Sequence, residues 1–505
     1  MSSGYLGAGG RLTGGPAPEL VASGYAQEIA HAPRLARAMG IADRAHAVVL
    51  VEAGVLAPEV ASRLLAGLRE LDDIPADRFP WDPALGDAFN SREAELTRRI
   101  GADAAGWLSA GRPRREAFRV ALRLVARDGT LDLHDRLLDV AAAFLAHARD
   151  TRDALAADYT YLQPAQPTTI GHLMLAYAYP VLRDAERIRA AHRELAKSVA
   201  GAGGSAGSRW PIDRRRLAEL LGGDDIVVHA RDAAWQVDVY VQVLSAIATA
   251  TMHGSQLGQD LEILASQEFS LVELADRHSR ASALMPQKRN PYALAVVRTM
   301  AGTAAGELSG VLVALHTGSA RTDHFHALNG VVPRVLDDAV AVTHLLAEVV
   351  AGMRLNVEAF ADVARRGFTQ AADVADVLSQ SAGIDYRTAH HVMGRAVRVL
   401  VERGGSPDQL TPSHIADAAE QAGHGSITID AAALQDALDP EACTRTRLQE
   451  GGSAPGWMAA MLDAVEDEIA SGRDWSAAAA ARGARGRADL DAADERIRTL
   501  DSTPG

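Results

Sequence analysis

Apolar residues recur along this chain at steps of three and four, the spacing that lines one face of an α-helix. Leu133, Leu137, Val140 and Phe144 form one such stripe, and Val237, Tyr240, Leu244 and Ile247 form another. The second lies in a stretch, from about Ala230 to Ala265, with no proline and only the glycines Gly254 and Gly258, so one long helix is expected there. A third helix is expected to begin at Asn290-Pro291, where Asn caps the first turn and Pro suits the first helical position because its missing N–H would be unpaired anyway. Its interior holds Ala301, Gly302, Ala304, Ala305, Gly306 and Gly310. Such small side chains let helices approach closely, which implies a crowded bundle core, with neighbouring subunits as one source of the crowding.

The pattern therefore predicts an all-α protein around a central long-helix bundle. No long linker interrupts it. We place a mostly helical N-terminal domain at 1–111, ending near Gly111-Arg112-Pro113, the bundle domain at 112–355, and a more broken C-terminal helical domain with a tail at 356–505. From Ala477 the tail is rich in Ala, Arg and Asp and is expected to be a surface helix with a frayed end.

Length and composition narrow the function classes. With 505 residues, 48% of them apolar, the chain supports two or three domains and is not disordered. Lys and Arg number 51 against 65 Asp and Glu, and the net charge of -14 repels polyanions, so no nucleic-acid partner is expected. Cys443 is the only cysteine, which excludes an intrachain disulfide and a thiolate-built zinc site and fits a reducing cytoplasm. The glycines from Gly4 to Gly15 read as a flexible lead-in without the basic start and apolar stretch of a signal peptide. The apolar run Ile170 to Leu182 is interrupted by His172 and Pro180, and no membrane segment is expected. Neither a metal nor a cofactor is expected.

The chemistry is carried by the run Ser282-Ala283-Leu284-Met285-Pro286-Gln287-Lys288-Arg289-Asn290-Pro291. Taken singly, a serine between alanines is ordinarily a solvated loop residue, a Lys-Arg pair is surface charge, and Asn-Pro is a common helix start. As an unbroken string the run resembles the signature loop of the aspartase/fumarase superfamily, Gly-Ser-Ser-x-Met-Pro-x-Lys-x-Asn-Pro. Supporting blocks are Gln259-Asp260-Leu261 with Gln267-Glu268-Phe269-Ser270, the segment from Asp158 to Pro167, and Gly451-Gly452-Ser453-Ala454. Within the superfamily these blocks are most similar to argininosuccinate lyase.

The resemblance implies a three-domain subunit whose long helices form a twenty-helix core in a homotetramer, with each active site drawn from three chains. It implies a small dicarboxylate substrate, broken by β-elimination with release of fumarate. Proton removal beside a carboxylate creates an aci-carboxylate dianion, which needs a base, fixed positive charge and hydrogen-bond donors. By carry-over Ser282 is the base, while Lys288 and Asn290 supply charge and amide donors on a loop that closes over substrate. Arg289 is expected to be the exposed member. Thr160 and Gln163, with Gln166, match a carboxylate-binding motif, for which the plainer reading is a turn set by Pro164 and Pro167. Arg114 and the adjacent Arg115 fall in the family's arginine-containing motif, where a guanidinium suits bidentate carboxylate recognition.

Departures from argininosuccinate lyase are concentrated where that enzyme handles its leaving group. Tyr161 stands where the resemblance places a catalytic histidine, Ala295 where it places that histidine's glutamate partner, and Phe89 in place of an upstream histidine. Pro113 and Arg115 replace a serine and an asparagine, and Thr322 and His324 replace a tyrosine and a lysine. An amine needs a proton in order to leave, whereas nitrite is already a stable anion. These replacements favour a compact or anionic leaving group, as in nitrosuccinate, or an N-substituted aspartate such as hydrazinosuccinate, with Tyr161, His324 or His326 as proton donor where one is needed. The alternatives are argininosuccinate lyase proper, a dehydratase or cycloisomerase of the same superfamily, and a non-catalytic structural or partner-binding homologue.

Overall fold

The computed structural model describes residue 11 and residues 14–500, so most of the glycine-rich lead-in and residues 501–505 lie outside the described residues. Helices dominate, as the periodicity predicts. Three N-terminal helices, α1 (Ala26–Glu52), α2 (Pro58–Asp72) and α3 (Ala88–Ile100), precede five long ones: α4 (Arg114–Asp150), α5 (Ile170–Leu195), α6 (Asp238–Leu264), α7 (Tyr292–Ala314) and α8 (Asp323–Gly352). Then come α9 (Val357–Arg366), α10 (Ala371–Ala382), α11 (Tyr386–Glu402), α12 (Pro412–Gln421), α13 (Ala431–Leu438), α14 (Pro440–Arg445) and the 46-residue α15 (Pro455–Leu500). No helix among the described residues is long and apolar enough to cross a membrane.

Helix α4 is the centre of the bundle, packed by α1, α5, α8 and α15. Because it is covered from several sides, Phe118, Leu122, Leu133, Leu137, Val140 and Phe144 are all buried, and the stripe seen in the sequence is part of a wider apolar girdle. Arg119, Arg123 and Arg127 are buried too, one helical turn apart. Arg123 donates to the carbonyls of Leu195, at 3.1 Å, and Glu194 at the end of α5, and to Gln236 Oε1 at 3.1 Å. Arg127 donates to the carbonyls of Leu221 and Gly222, at 2.7 and 3.1 Å, just past the helix Arg214–Leu220. The last carbonyls of a helix lack partners within it and carry partial negative charge, so they satisfy Arg123 without a paired carboxylate and share Arg127 with Asp128, which it meets at 3.2 Å.

A buried ion network joins the chain's two ends. Asp43 on α1, fully buried, accepts from Arg92 of α3 at 3.1 Å and from Arg112, and Arg92 reaches Asp72 of α2 at 3.2 Å. Arg44 donates to Asp491 and Asp494 of α15 at 2.7 and 3.2 Å, and Arg69 of α2 reaches Asp494 at 2.7 Å.

Three expectations change. The stretch 230–265 is broken: a short helix ends at Trp235, Gln236 is extended with ψ 128°, and its side chain is the acceptor for Arg123, so α6 starts at Asp238. The tail is no separate surface helix but the end of α15, because Leu490, Ala493 and Ile497 keep a three- and four-residue apolar stripe that joins the main core. The segment 356–505 is thereby divided in its packing. Val374, Leu378, Val392, Met393, Ile415 and Leu434 build a second, smaller core, while Met458, Leu462 and Val465 of α15 return to the first. Cys443 is buried at the edge of this C-terminal module, donating to the Ala437 carbonyl at 3.3 Å, and burial followed by the charge of Asp373 pushes its thiol up to about 12.

Third, Gly302, Gly306 and Gly310 of α7 are not crowded within the chain, since a Cβ on any of them would meet nothing within 4 Å.

Replacing Asp43 by alanine leaves the buried Arg112 without its paired carboxylate and Arg92 with Asp72 alone, a loss of about 3–5 kcal/mol. A large fall in thermal midpoint is expected, whereas Asp103→Ala, at an exposed ion pair with Arg63, leaves the midpoint nearly unmoved.

Candidate active-site segments

The loop of the signature run is closed by two short strands, β4 (Arg280–Ala281) and β5 (Arg289–Asn290), with Arg280 opposite Asn290 and Ala281 opposite Arg289. They follow β3 (Val272–Glu273), which pairs with β6 (Arg354–Leu355), while β1 (Leu155–Thr160) and β2 (Gln163–Thr169) form a hairpin before α5. Arg289 is the loop's anchor. Its guanidinium meets Glu273 at 2.5 Å and Asp276 at 2.9 Å and donates to the Leu274 carbonyl, and Arg354 also pairs with Glu273. Arg289, then Arg354, holds the Glu273 carboxyl below the usual carboxylate range, so the anchor persists on acidification until the pH falls below that range. Arg289 is exposed, as expected, and the structure adds the ion pairs that make it an anchor. Asn290 does not cap α7, because its Nδ2 donates to the Arg280 carbonyl at 2.9 Å and helps close the loop's base, while α7 starts at Tyr292 without a side-chain cap.

Beyond this base the loop is open. Leu284 is 85% exposed and Lys288 is exposed as well. Ser282 Oγ accepts from the backbone N–H groups of Leu284 and Met285 at 3.3 and 3.0 Å.

Thr160 and Gln163 face each other as the last pair of the β1/β2 hairpin, and Tyr161 and Leu162 form its two-residue turn with φ of 53° and 60°. Positive φ at both central residues is normally met by Asn-Gly, and an ordinary L-residue in that region costs about 1–2 kcal/mol. The turn is therefore not the one Pro164 and Pro167 would set, since both prolines lie in β2. What the strained pair achieves is display: Tyr161 is 99% exposed at the tip. Beside it lies a cavity of about 350 Å³ walled in part by Asp158, Tyr161, Leu162, Tyr177, Asp260 and Phe269. Tyr177 donates to Asp260 Oδ2 at 3.2 Å, which gives the Gln259-Asp260-Leu261 block a role in holding α5 to α6.

A third set gathers at the start of α4. Arg114 reaches Asp87, the cap of α3, at 3.5 Å, and Glu28 meets His326 at 3.1 Å. Burial raises the Glu28 carboxyl, opposed by His326 and by Arg115 and Arg114, so these groups share one field. His324, on the first turn of α8, is buried and neither ring nitrogen has a partner. Phe89 is buried with the Arg112 guanidinium 5.6 Å from its ring centroid, a cation–π contact that a histidine there would weaken on protonation. Ala295 is exposed on α7.

No hydrogen bond or ion pair among the described residues joins the three sets. None of the hydrogen bonds or ion pairs of Ser282, Lys288 or Asn290 reaches Thr160–Gln163, Arg114, Arg115 or His324. Among the described residues no group of three or more His, Cys, Asp or Glu is placed to hold a metal ion. Sequence reasoning missed Glu273 and Asp276, the partners of Arg289, because acid and arginine lie more than a dozen residues apart on short strands and a turn that have no sequence pattern of their own.

Residues 14–306 match the Lyase family model, and 368–445 match the model described as argininosuccinate lyase C-terminal. The argininosuccinate lyase of Natronomonas pharaonis is 33% identical over 507 residues, covering 97% of this chain and 96% of that protein. That of Thermus thermophilus is 33% identical over 91% of this chain and 98% of its own length. This chain belongs to the aspartase/fumarase superfamily. Among solved members, an EDDS lyase variant with bound fumarate superposes with a TM-score of 0.87 at 27% identity, covering 97% of this chain and 98% of that one. The protein is accordingly a lyase, and the resemblance drawn from its signature run to argininosuccinate lyase is upheld.

Arg289→Ala should leave the helical content intact yet free the base of the loop. We expect tryptic cleavage after Lys288 to accelerate severalfold with the thermal midpoint nearly unchanged, because the ion pairs are half exposed. Unaltered cleavage would mean that Arg289 does not hold the loop.

Proposed function

We propose that this superfamily member catalyses β-elimination from a substituted succinate and releases fumarate, with Ser282 as the base. The observation that carries the reading is the signature loop itself, complete in its chemical residues, fixed at its base by Arg289 and open at its tip. Two backbone N–H groups already point at Ser282 Oγ. Hydrogen bonds of that kind favour the anionic form of an acceptor, so they support Ser282 as the group that loses its proton and then takes one from the carbon beside the substrate carboxylate. Lys288 balances the charge that develops. The carbanion pair forms the double bond as the C–N bond breaks, and the departing group leaves with the bonding electrons.

Thr160 and Gln163, displayed with Tyr161, and Arg114 and Arg115 are the proposed carboxylate contacts, and His324 lies on the leaving-group side. Their separation within one chain supports sites shared among subunits. So does α7, which packs chiefly on α6 and α8 among the described residues while Tyr292, Val296, Thr299, Thr303, Gly306, Gly310 and Val313 form an alternating four- and three-residue seam on its open face. Tyr292, Val296 and Val313 on that seam are 48%, 38% and 77% exposed. This is the spacing of helices that pack together, and a homotetramer covers it. The cytoplasm remains the proposed location.

Relatives named argininosuccinate lyase favour that activity as the second reading. Tyr161 and Ala295 speak against it, since they replace the histidine–glutamate relay that the resemblance assigns to an amine leaving group. Ultraviolet detection of fumarate should show nitrosuccinate or hydrazinosuccinate cleaved with a higher kcat/KM than argininosuccinate, and efficient cleavage of argininosuccinate alone would reverse the assignment.

Ser282→Ala should lower turnover by about a hundredfold or more while changing stability by no more than about 0.5 kcal/mol. Mixed with Thr160→Ala under conditions that exchange subunits, it should recover about a quarter of wild-type activity, the fraction of shared sites that draw both native residues. No recovery despite proven exchange would assign Ser282 and Thr160 to one chain's site.

A further inference from the structure

Of the three buried arginines along α4, Arg119 alone is left without an acceptor among the described residues. Arg123 and Arg127 are satisfied by helix-end carbonyls. Arg119 is 4% exposed, and its Nε and Nη2 have no hydrogen-bond partner. The nearest acid in sequence, Glu116, is committed elsewhere, accepting from the backbone N–H groups of Gly201 and Gly203 at 2.8 and 2.9 Å. What surrounds Arg119 is aromatic: its guanidinium carbon lies 4.1 Å from the Trp235 ring centroid and 4.9 Å from that of Phe325. Burial, reinforced by the charge of Arg115 one turn earlier, pulls Arg119 down to about 10, still protonated at neutral pH.

The identity of the two orphan atoms matters. Nε and Nη2 carry parallel N–H bonds along one edge of the guanidinium, the edge that grips a planar pair of oxygen atoms in a bidentate contact. Two other groups have buried atoms that are equally unpaired: Trp235 Nε1, on the ring that Arg119 covers, and both ring nitrogens of His324, next in sequence to Phe325 on the first turn of α8. Buried donors left empty are costly and are ordinarily found paired, so donors from three separate elements without partners describe a receptor awaiting its acceptor.

We propose that Arg119, with Trp235 and His324, binds a planar two-oxygen group, nitro or carboxylate, borne by the departing part of the substrate. This rests on the β-elimination reading above and adds to it the class of leaving group. The orphan atoms are closed off from solvent, so the ligand reaches them when the first turn of α8, which carries His324 and Phe325, moves aside. Arg115, itself a proposed carboxylate contact with Arg114, lies one turn nearer the start of α4. With a nitro group the C–N electron pair departs with it as nitrite and no proton is required. With a carboxylate-bearing amine the nitrogen takes the pair together with a proton.

The test compares kcat/KM for nitrosuccinate, N-(carboxymethyl)aspartate and N-methylaspartate, the last lacking the oxygen pair, in the wild type, Arg119→Met and Arg119→Lys. The lysine variant keeps the charge and guards against loss of the fold, which circular dichroism checks. Preference for a two-oxygen leaving group over N-methylaspartate should fall by about 30-fold or more in both variants, chiefly through KM, and the substrate that shows the fall identifies nitro or carboxylate. Equal losses on all three substrates, or none, would overturn the proposal. A second arm does not depend on turnover. Acetate should quench tryptophan fluorescence saturably in the wild type, not in Trp235→Phe, and at least tenfold more weakly in Arg119→Lys. Were the wild type to cleave none of the three substrates, the elimination reading would fall while acetate binding still judged the receptor. Absent or Arg119-independent quenching would sink it.

Discussion

A helix covered from several sides must find partners inside the protein for every polar group it carries, and α4 carries a row of arginines. Much of the architecture follows from how they are accommodated. Arg123 requires that α5 end beside it and that the chain break at Gln236 before α6 begins, and Arg127 draws in the end of the helix at Arg214–Leu220. Two helix termini that would otherwise need capping are thereby fixed to the bundle's axis; aligned peptide dipoles serve Arg123 in place of a paired carboxylate and supplement Asp128 at Arg127. The register of α4 in turn determines what its first turn presents at Arg114 and Arg115.

The segments with proposed chemistry share a second design: rigid support below, freedom above. Arg289 and Asn290 secure the loop's base while Ser282 and Lys288 sit on its open arc. The β1/β2 hairpin is braced by its ladder and ends in a strained Tyr161-Leu162 turn with none of the described residues over the tyrosine. Such strain is tolerated where neighbouring structure dictates the backbone and the displayed side chain has a task.

Periodicity made the long helices legible, and the unbroken run from Ser282 to Pro291 made the superfamily legible, because both are local in sequence. What escaped depends on residues brought together from far apart. Nothing around Arg289 announces Glu273 and Asp276, and nothing around Asn290 says that its amide will serve Arg280 instead of the first turn of α7. The Tyr161-Leu162 turn was hidden by the two prolines beside it, which suggest a bend but occupy a strand. The tail was misjudged because Ala, Arg and Asp dominate it, although the spacing of Leu490, Ala493 and Ile497 already held the stripe that returns it to the core. Arg119 offers the sharpest case: its type and spacing match its neighbours on α4, and only the absence of an acceptor sets it apart.

The state of Cys443 has a practical side. A thiol that ionises only near pH 12 and is enclosed by the C-terminal module presents almost no thiolate to alkylating reagents at neutral pH. The native chain is thus silent to such labels, and a cysteine placed at Leu284 would be the sole reactive sulfur in each subunit. A spin label or fluorophore attached there would report how far the arc between β4 and β5 travels as ligand arrives, free of background from the rest of the molecule.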